Sequence, residues 1–240
     1  MSTPPNGSAR PAPSGSRNLI TRVGVAAILI PLAIAAAWAG GWIWAALVVP
    51  IAIGLFVEWV SIVKTASGAR PGWIALGGLY ATAALAGSLL VRHDQHYGVA
   101  ALLLVLSVVW ASDIGGYVVG KSVGGRKLAP RVSPNKTWAG AIGGFGLSLL
   151  VAAGFTVAGQ GALMPLLLVA AGLSVVSQAG DLFESAIKRR FGVKDSSHII
   201  PGHGGLLDRL DGFVAAIALA ALVGFLRGGV DGVGRGLMVW

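Results

Sequence analysis

Apolar residues in this chain neither alternate with polar ones nor recur only at helical spacing; they continue in long runs. Seven such runs cover roughly 23–39, 42–62, 73–91, 97–119, 138–158, 162–184 and 206–226, each near the length that carries a helix across a bilayer. Lipid offers the backbone no hydrogen bonds, so runs of this kind are expected to be helices. Pro31, Pro50 and Pro165 lie within or near the starts of runs, where neighbouring helices can absorb a lost bond. Small residues such as Ala139, Gly140, Gly143 and Gly144 allow close helix approach, and Trp38, Trp42, Trp44, Trp59, Trp73, Trp110 and Trp138 lie near proposed ends. The pattern predicts an all-α polytopic transmembrane helix bundle of about seven or more spans. The span around Asp113 is open to being split or re-entrant, and residues 227–240 are too short and Gly-rich to assign.

Composition agrees: 55% of the 240 residues are hydrophobic, 11% are charged and mean hydropathy is +0.79. A soluble domain would carry about 25% charged residues, so that class is excluded. The lack of Cys excludes disulfides, a thiolate nucleophile and Cys-ligated metal. Residues 1–18, rich in Pro, Ser and Gly, are expected to form a disordered tail. A signal peptide is not expected, because several long apolar runs follow rather than one short one. The net charge of +9 reads as topogenic rather than as nucleic-acid binding. With the tail inside, only Arg92, Arg227 and Arg235 of the 18 cations fall on the outer face. That bias places the basic loops 121–137 and 188–205 in the cytoplasm; the expected location is the inner (plasma) membrane of a bacterial cell. The expected organisation is the tail, N-terminal transmembrane helices over 19–96 and a catalytic transmembrane domain over 97–240, with a polar cavity facing the cytoplasm.

Charge is concentrated in a few places. Asp113 sits inside an apolar run, where a carboxylate costs about 2.5–3.5 kcal/mol on insertion scales; a helix-packing contact is the alternative to a functional role. After it come Gly120, Gly124 and Gly125 among Lys121, Arg126 and Lys127, then Ser133, Pro134, Asn135, Lys136 and Thr137 before the next run. Glycines let backbone N–H groups approach phosphate, cations neutralise it, and donors at a helix N-terminus suit an anion. A merely topogenic loop is the competing reading.

Of the nine carboxylates, Asp181, Glu184, Asp195, Asp208 and Asp211 fall within 181–211, together with Lys188, Arg189, Arg190, Lys194 and Arg209. Helical spacing puts Asp181, Glu184, Ser185 and Lys188 on one face, and Asp208 with Asp211 on another. Between these groups, Pro201, Gly202, His203, Gly204 and Gly205 are expected to form a tight turn; His198 and His203 lack a zinc pattern. A plain anion receptor would not mix carboxylates with its cations. A divalent cation would reconcile them, since Mg²⁺ takes one or two carboxylates and completes its shell with substrate phosphates. Asp181, Asp208 and Asp211 are the candidate metal ligands, with Lys and Arg clamping phosphate oxygens. Structural ion pairing alone is the competing account.

These residues resemble the integral-membrane phosphatidate cytidylyltransferases, or CDP-diacylglycerol synthases. The resemblance rests on S-x-x-K-R-x4-K-D followed by P-G-H-G-G-x-x-D-R-x-D, matched from Ser185, Lys188, Arg189, Lys194 and Asp195 through Asp208, Arg209 and Asp211. It extends to the G-D-L-x-E-S lead-in at 180–185 and to D-x-G-x-Y-x-x-G-K with S-P-x-K-T, at Asp113, Gly115, Tyr117, Gly120, Lys121, Ser133, Pro134, Lys136 and Thr137. It covers about 110–226 strongly. Ala139 stands where Glu or Gln is common, and Gly212 where Ser is common.

The resemblance implies transfer of CMP from CTP to phosphatidic acid at the bilayer, with Mg²⁺ as cofactor and a homodimeric assembly. It implies a catalytic set of Asp208, Asp211, Lys188, Arg189 and His203, with metal on Asp181, Asp208 and Asp211. Asp113, Lys121, Ser133, Lys136, Thr137, Ser185, Lys194, Gly204, Gly205 and Arg209 are expected to bind substrate. The rival expectations are a CTP-dependent polyprenol or other lipid kinase, a cytidylyltransferase for another lipid phosphate, and a transporter with an intramembrane Asp cluster.

Overall fold

A computed structural model describes residues 31–64, 71–197 and 205–240, and within them the apolar runs are helices. Helix α1 occupies residues 31–39 of the described chain. It is followed by α2 (Gly41–Lys64), α3 (Pro71–His93), α4 (Gly98–Val123), α5 (Trp138–Val157), α6 (Leu163–Arg190), α7 (Leu207–Gly228) and α8 (Val233–Met238). Six helices among the described residues, α2 to α7, are long and apolar enough to cross a membrane, as an integral membrane protein requires. The expected tail at 1–18 lies outside the described residues.

Helix α4 runs through the middle of the bundle, with Leu102, Leu104, Val105 and Val108 fully buried. The core around it draws on every helix, from Ala37 of α1 to Met238 of α8, and so runs across residue 96 without a break. A second cluster joins Leu55 and Trp59 of α2, Ala81 of α3, Ile187 of α6 and Leu207 and Val214 of α7. Outward-facing side chains such as Leu150, Val157, Leu168 and Leu226 are exposed and apolar, as a lipid-facing surface is. Since lipid is as apolar as these side chains, close packing holds the helices together. A Cβ on Gly115 would lie 2.8 Å from the Gly143 carbonyl oxygen, and one on Gly144 only 2.3 Å from that of Ser112, so only glycine lets α4 and α5 touch there.

The two ends of the bundle differ. At one end, the Arg92 guanidinium donates to the carbonyls of Ala37 and Trp38, and Arg227 Nη1 donates to the Gly236 carbonyl at 2.6 Å. Both cations thus satisfy free carbonyls at helix C-termini. Asp94, in the turn after α3, accepts from the backbone N–H groups of His96, Tyr97 and Arg235 at 3.0, 2.9 and 2.7 Å, tying that turn to α8. Burial pushes the Asp94 carboxyl up, but these N–H groups and nearby His96 outweigh it and hold it below its ordinary value. At the other end α2, α4 and α6 finish and α5 and α7 begin, and the functional residues gather there.

The structure corrects the sequence boundaries at that end. Helix α4 continues past residue 119 to Val123 and stops at Gly124, whose φ of 65° reverses the chain. Part of the expected loop is a hairpin, β1 (Lys127–Ala129) antiparallel to β2 (Ser133–Thr137), pairing Lys127 with Thr137 and Ala129 with Ser133. Thr137 ends β2 and caps α5, its Oγ1 accepting from Gly140 N at 3.1 Å. Helix α6 runs to Arg190 rather than stopping near 184, so Lys188 and Arg189 belong to its last turn and not to a loop beginning at 188. Cations there complement the helix dipole, and Glu184 to Lys188 forms an i,i+4 ion pair at 2.8 Å. Residues 233–238, left unassigned from sequence, form the short helix α8.

Candidate active site

A cavity of about 670 Å³ opens between the C-terminal half of α4, the hairpin, the start of α5 and the middle of α6. Its wall carries Asp113, Tyr117 and Lys121 from α4, Lys127, Asn135 and Lys136 from the hairpin, and Gln178 and Asp181 from α6. The sequence groups Asp113 with the 121–137 stretch by nearness along the chain. The fold adds Asp181, 45 residues beyond Lys136, through an ion pair between Lys136 Nζ and Asp181 Oδ2. Lys121 Nζ lies 3.4 Å from the Tyr117 hydroxyl, one helical turn away.

Asp211 belongs to the same electrostatic neighbourhood. It feels the charges of Asp181, Asp113 and Lys136. The backbones of α6 and α7 meet beside it, since a Cβ on Gly180 would lie 2.8 Å from the Asp211 carbonyl oxygen. One Asp211 oxygen accepts from Gly212 N at 2.8 Å. Asp113, Asp181 and Asp211 thus share Lys136, with Lys121 and Lys127 in the same cavity wall, so carboxylates and cations meet in an otherwise apolar bundle.

A second polar cluster lies at the start of α7. Lys188 Nζ donates to Asp208 Oδ1 at 2.6 Å. Asp208 Oδ2 accepts from Ser196 N at 3.1 Å and from Gly205 N at 3.0 Å, and Ser196 Oγ, whose single proton it shares with Glu58, stands 3.1 Å away. Beside it Glu58 of α2, fully buried, accepts Ser196 Oγ at 2.8 Å, Ser197 Oγ at 2.5 Å and the backbone N–H groups of Leu206 and Leu207 at 2.8 Å each. Both oxygens of each carboxylate are therefore engaged.

The candidate residues thus divide. Asp113, Lys121, Lys136, Thr137 and Asp181 line the cavity, with Asp211 in their electrostatic reach. Lys188, Asp208 and Gly205 form the second cluster. Arg189, Lys194 and Arg209 are exposed at the surface, while Ser133 and Ser185 are half-buried and do not line the cavity. His203 and Gly204 lie outside the described residues. Sequence reasoning missed Gln178 and, more importantly, Glu58. The signal for Glu58 was present: it is a lone carboxylate inside an apolar run, the same feature that singles out Asp113.

Fold and site together define a polytopic helical membrane protein with an acid–base cavity at one end of its bundle. The sequence profile of the Cytidylyltransferase family matches residues 74–226, and the chain belongs to that family. Among curated relatives, a phosphatidate cytidylyltransferase of Brucella suis is 45% identical over 181 residues, which is 74% of this chain and 63% of the relative. One of Bacillus subtilis is 43% identical over 148 residues (60% and 54%), and one of Haemophilus influenzae 45% over 131 residues (52% and 46%). The chain spans about half to under two thirds of the length of these relatives. Helix α2, which carries Glu58, precedes the segment matched by the family profile.

Proposed function

We propose that this protein transfers CMP from CTP to phosphatidic acid, yielding CDP-diacylglycerol and pyrophosphate. The observation that carries the reading is the Lys136–Asp181 ion pair in the wall of a cavity that also holds Asp113 and Lys121. Cations and carboxylates sharing one cavity suit a polyphosphate that arrives with a metal ion, and the named relatives support the particular substrates.

On this reading the lipid phosphate is itself the nucleophile and attacks the α-phosphorus of CTP in line, so no covalent enzyme intermediate is needed. Lys121, Lys127 and Lys136 bind and orient the triphosphate, and the positive end of α5, capped by Thr137, faces the same space. Fixed cations at the leaving pyrophosphate stabilise charge that grows in the transition state. Acyl chains stay in lipid beside the bundle.

The donor chemistry also fits Mg²⁺. Asp181 and Asp211 are hard oxygen donors on helices that touch, and among the described residues no three such groups are close enough to hold an ion unaided. Two carboxylates with substrate phosphates completing the shell is the usual magnesium arrangement. Asp181 and Asp211 would hold the ion, which supplies Lewis-acid polarisation of the phosphoryl oxygens and offsets leaving-group charge. Asp208 would join them only by giving up Lys188. The same reading has the cavity facing the cytoplasm and the protein acting as a homodimer.

The test is phosphorus transfer by purified protein in lipid micelles. Label from α-labelled CTP should enter the lipid, with pyrophosphate release dependent on phosphatidic acid and Mg²⁺. Label entering only from the γ position would make the protein a lipid kinase, and solute flux without pyrophosphate would make it a transporter. Asp181→Asn should abolish transfer while the protein still inserts in the membrane.

A further inference from the structure

The charges of the cavity have a use in the proposed reaction, but Glu58 has none. It is a fully buried carboxylate on a helix outside the matched segment, and it is not part of the cavity wall. Burying a carboxylate is costly unless its lone pairs are filled, and here they are filled from one source. Ser196 and Ser197 donate from one side of residues 198–204, and the N–H groups of Leu206 and Leu207 from the other. These two N–H groups open α7, where no earlier turn of the helix can accept them. One side chain of α2 therefore pins both ends of the connection from α6 to α7.

The pin reaches the second cluster through shared atoms. Ser196 Oγ stands 2.8 Å from Glu58 Oε2 and 3.1 Å from Asp208 Oδ2, and Gly205 N donates to that same Asp208 oxygen. Gly205 is confined by both: a Cβ there would lie 1.7 Å from Ser196 Oγ and 2.6 Å from Glu58 Oε2. Asp208 in turn holds Lys188 of α6, and Asp211 follows one turn later on α7. A shift at Leu206 or Leu207 would therefore move Asp208 and Asp211 together, because a helix start sets the rotation and height of its first turns.

We propose that Glu58 is a positioning residue for the reaction: from α2 it fixes the start of α7, and through Ser196 and Gly205 it sets Asp208 and the adjoining Asp211. This rests on the functional reading above only for its activity readout. Glu58→Gln is the informative change: each Glu58 oxygen takes one serine hydroxyl and one backbone N–H, and an amide nitrogen would face a backbone N–H of Leu206 or Leu207 that cannot turn to accept. The purified variant should still unfold cooperatively, with a midpoint lowered by only a few degrees for the donor left unpaired, and should keep its KM for CTP. Its kcat should fall roughly 10- to 100-fold, the range for lost outer-shell partners. Hydrogen exchange should accelerate at Leu206 and Leu207 and not in α4 or α5. Glu58→Asp, which keeps the charge but shortens the reach, should fall between.

Unchanged kcat with unchanged exchange would overturn the proposal. So would a general loss of stability with faster exchange throughout the bundle, which would make Glu58 merely structural. If the wild-type protein shows no lipid-dependent turnover, the functional reading fails. The exchange data then still decide whether Glu58 holds the start of α7, and unaltered protection at Leu206 and Leu207 would refute it.

Discussion

Replacing Gly205 by Ala adds one methyl group at the most crowded point of the site. Its Cβ would fall 1.7 Å from Ser196 Oγ, about half an ordinary contact distance, with Glu58 Oε2 at 2.6 Å and Ser196 Cβ at 3.0 Å beside it. The hydroxyl must move by well over 1 Å, which takes it out of reach of Glu58 and Asp208 together. Overpacking costs about 1–3 kcal/mol, and each hydrogen bond to a charged acceptor about 1.5–3 kcal/mol. With partial relaxation, a loss of about 4 kcal/mol is expected, near the upper end for a single substitution. The assay is thermal unfolding in detergent, run as a double-mutant cycle with Ser196→Gly, which removes the obstructing side chain. If crowding is the cause, the second substitution should recover a large part of the loss, a coupling of about 1–3 kcal/mol. Additive effects, or a Gly205→Ala protein as stable as wild type, would refute the geometry and leave Gly205 free to act by backbone approach to substrate.

Further tests address the rest of the molecule. Because the folded-state pKa of Asp94 is depressed, its contribution to stability is present above the ordinary carboxylate range and is lost as pH falls through the lower folded value. Asp94→Asn should therefore cost about 1–3 kcal/mol at neutral pH, and the gap from wild type should close in acid, as read by unfolding at several pH values. The chain has no cysteine, so single-cysteine variants at Arg126 and Gln95 report topology cleanly: an impermeant thiol reagent should reach them from opposite sides of the membrane. Labelling of both from one side would overturn the antiparallel succession of helices. Lys136→Met should weaken CTP binding and make it less sensitive to salt, measured by equilibrium binding at two ionic strengths; unchanged binding would remove Lys136 from the substrate site.

The apolar runs at 42–62 and 73–91 became α2 and α3 with shifts of only one or two residues, because a bilayer leaves the backbone almost no alternative to a helix. The basic stretches and Asp113 stood out for a related reason, since charge is rare in such a chain and costly to place. The helical C-terminus at Arg190 and the hairpin at 127–137 were harder to read. The helix end depends on how charge is satisfied locally, through Glu184 with Lys188, and the hairpin on backbone pairing of Lys127 with Thr137. Glu58 was legible as an anomaly, although its partners at 196–207 were not.

In the stretch from 181 to 211, the sequence alone determined that the charges belong at one membrane face and that two helices flank them. It could not divide them. Tertiary packing sends Asp181 toward Lys136 and the cavity, and Asp208 toward Lys188, Ser196 and Gly205. Hydropathy is a sum over neighbours along the chain and survives in the sequence. A carboxylate's role depends on which donor arrives within about 3 Å, and donors many residues away reach it only once the helices have packed.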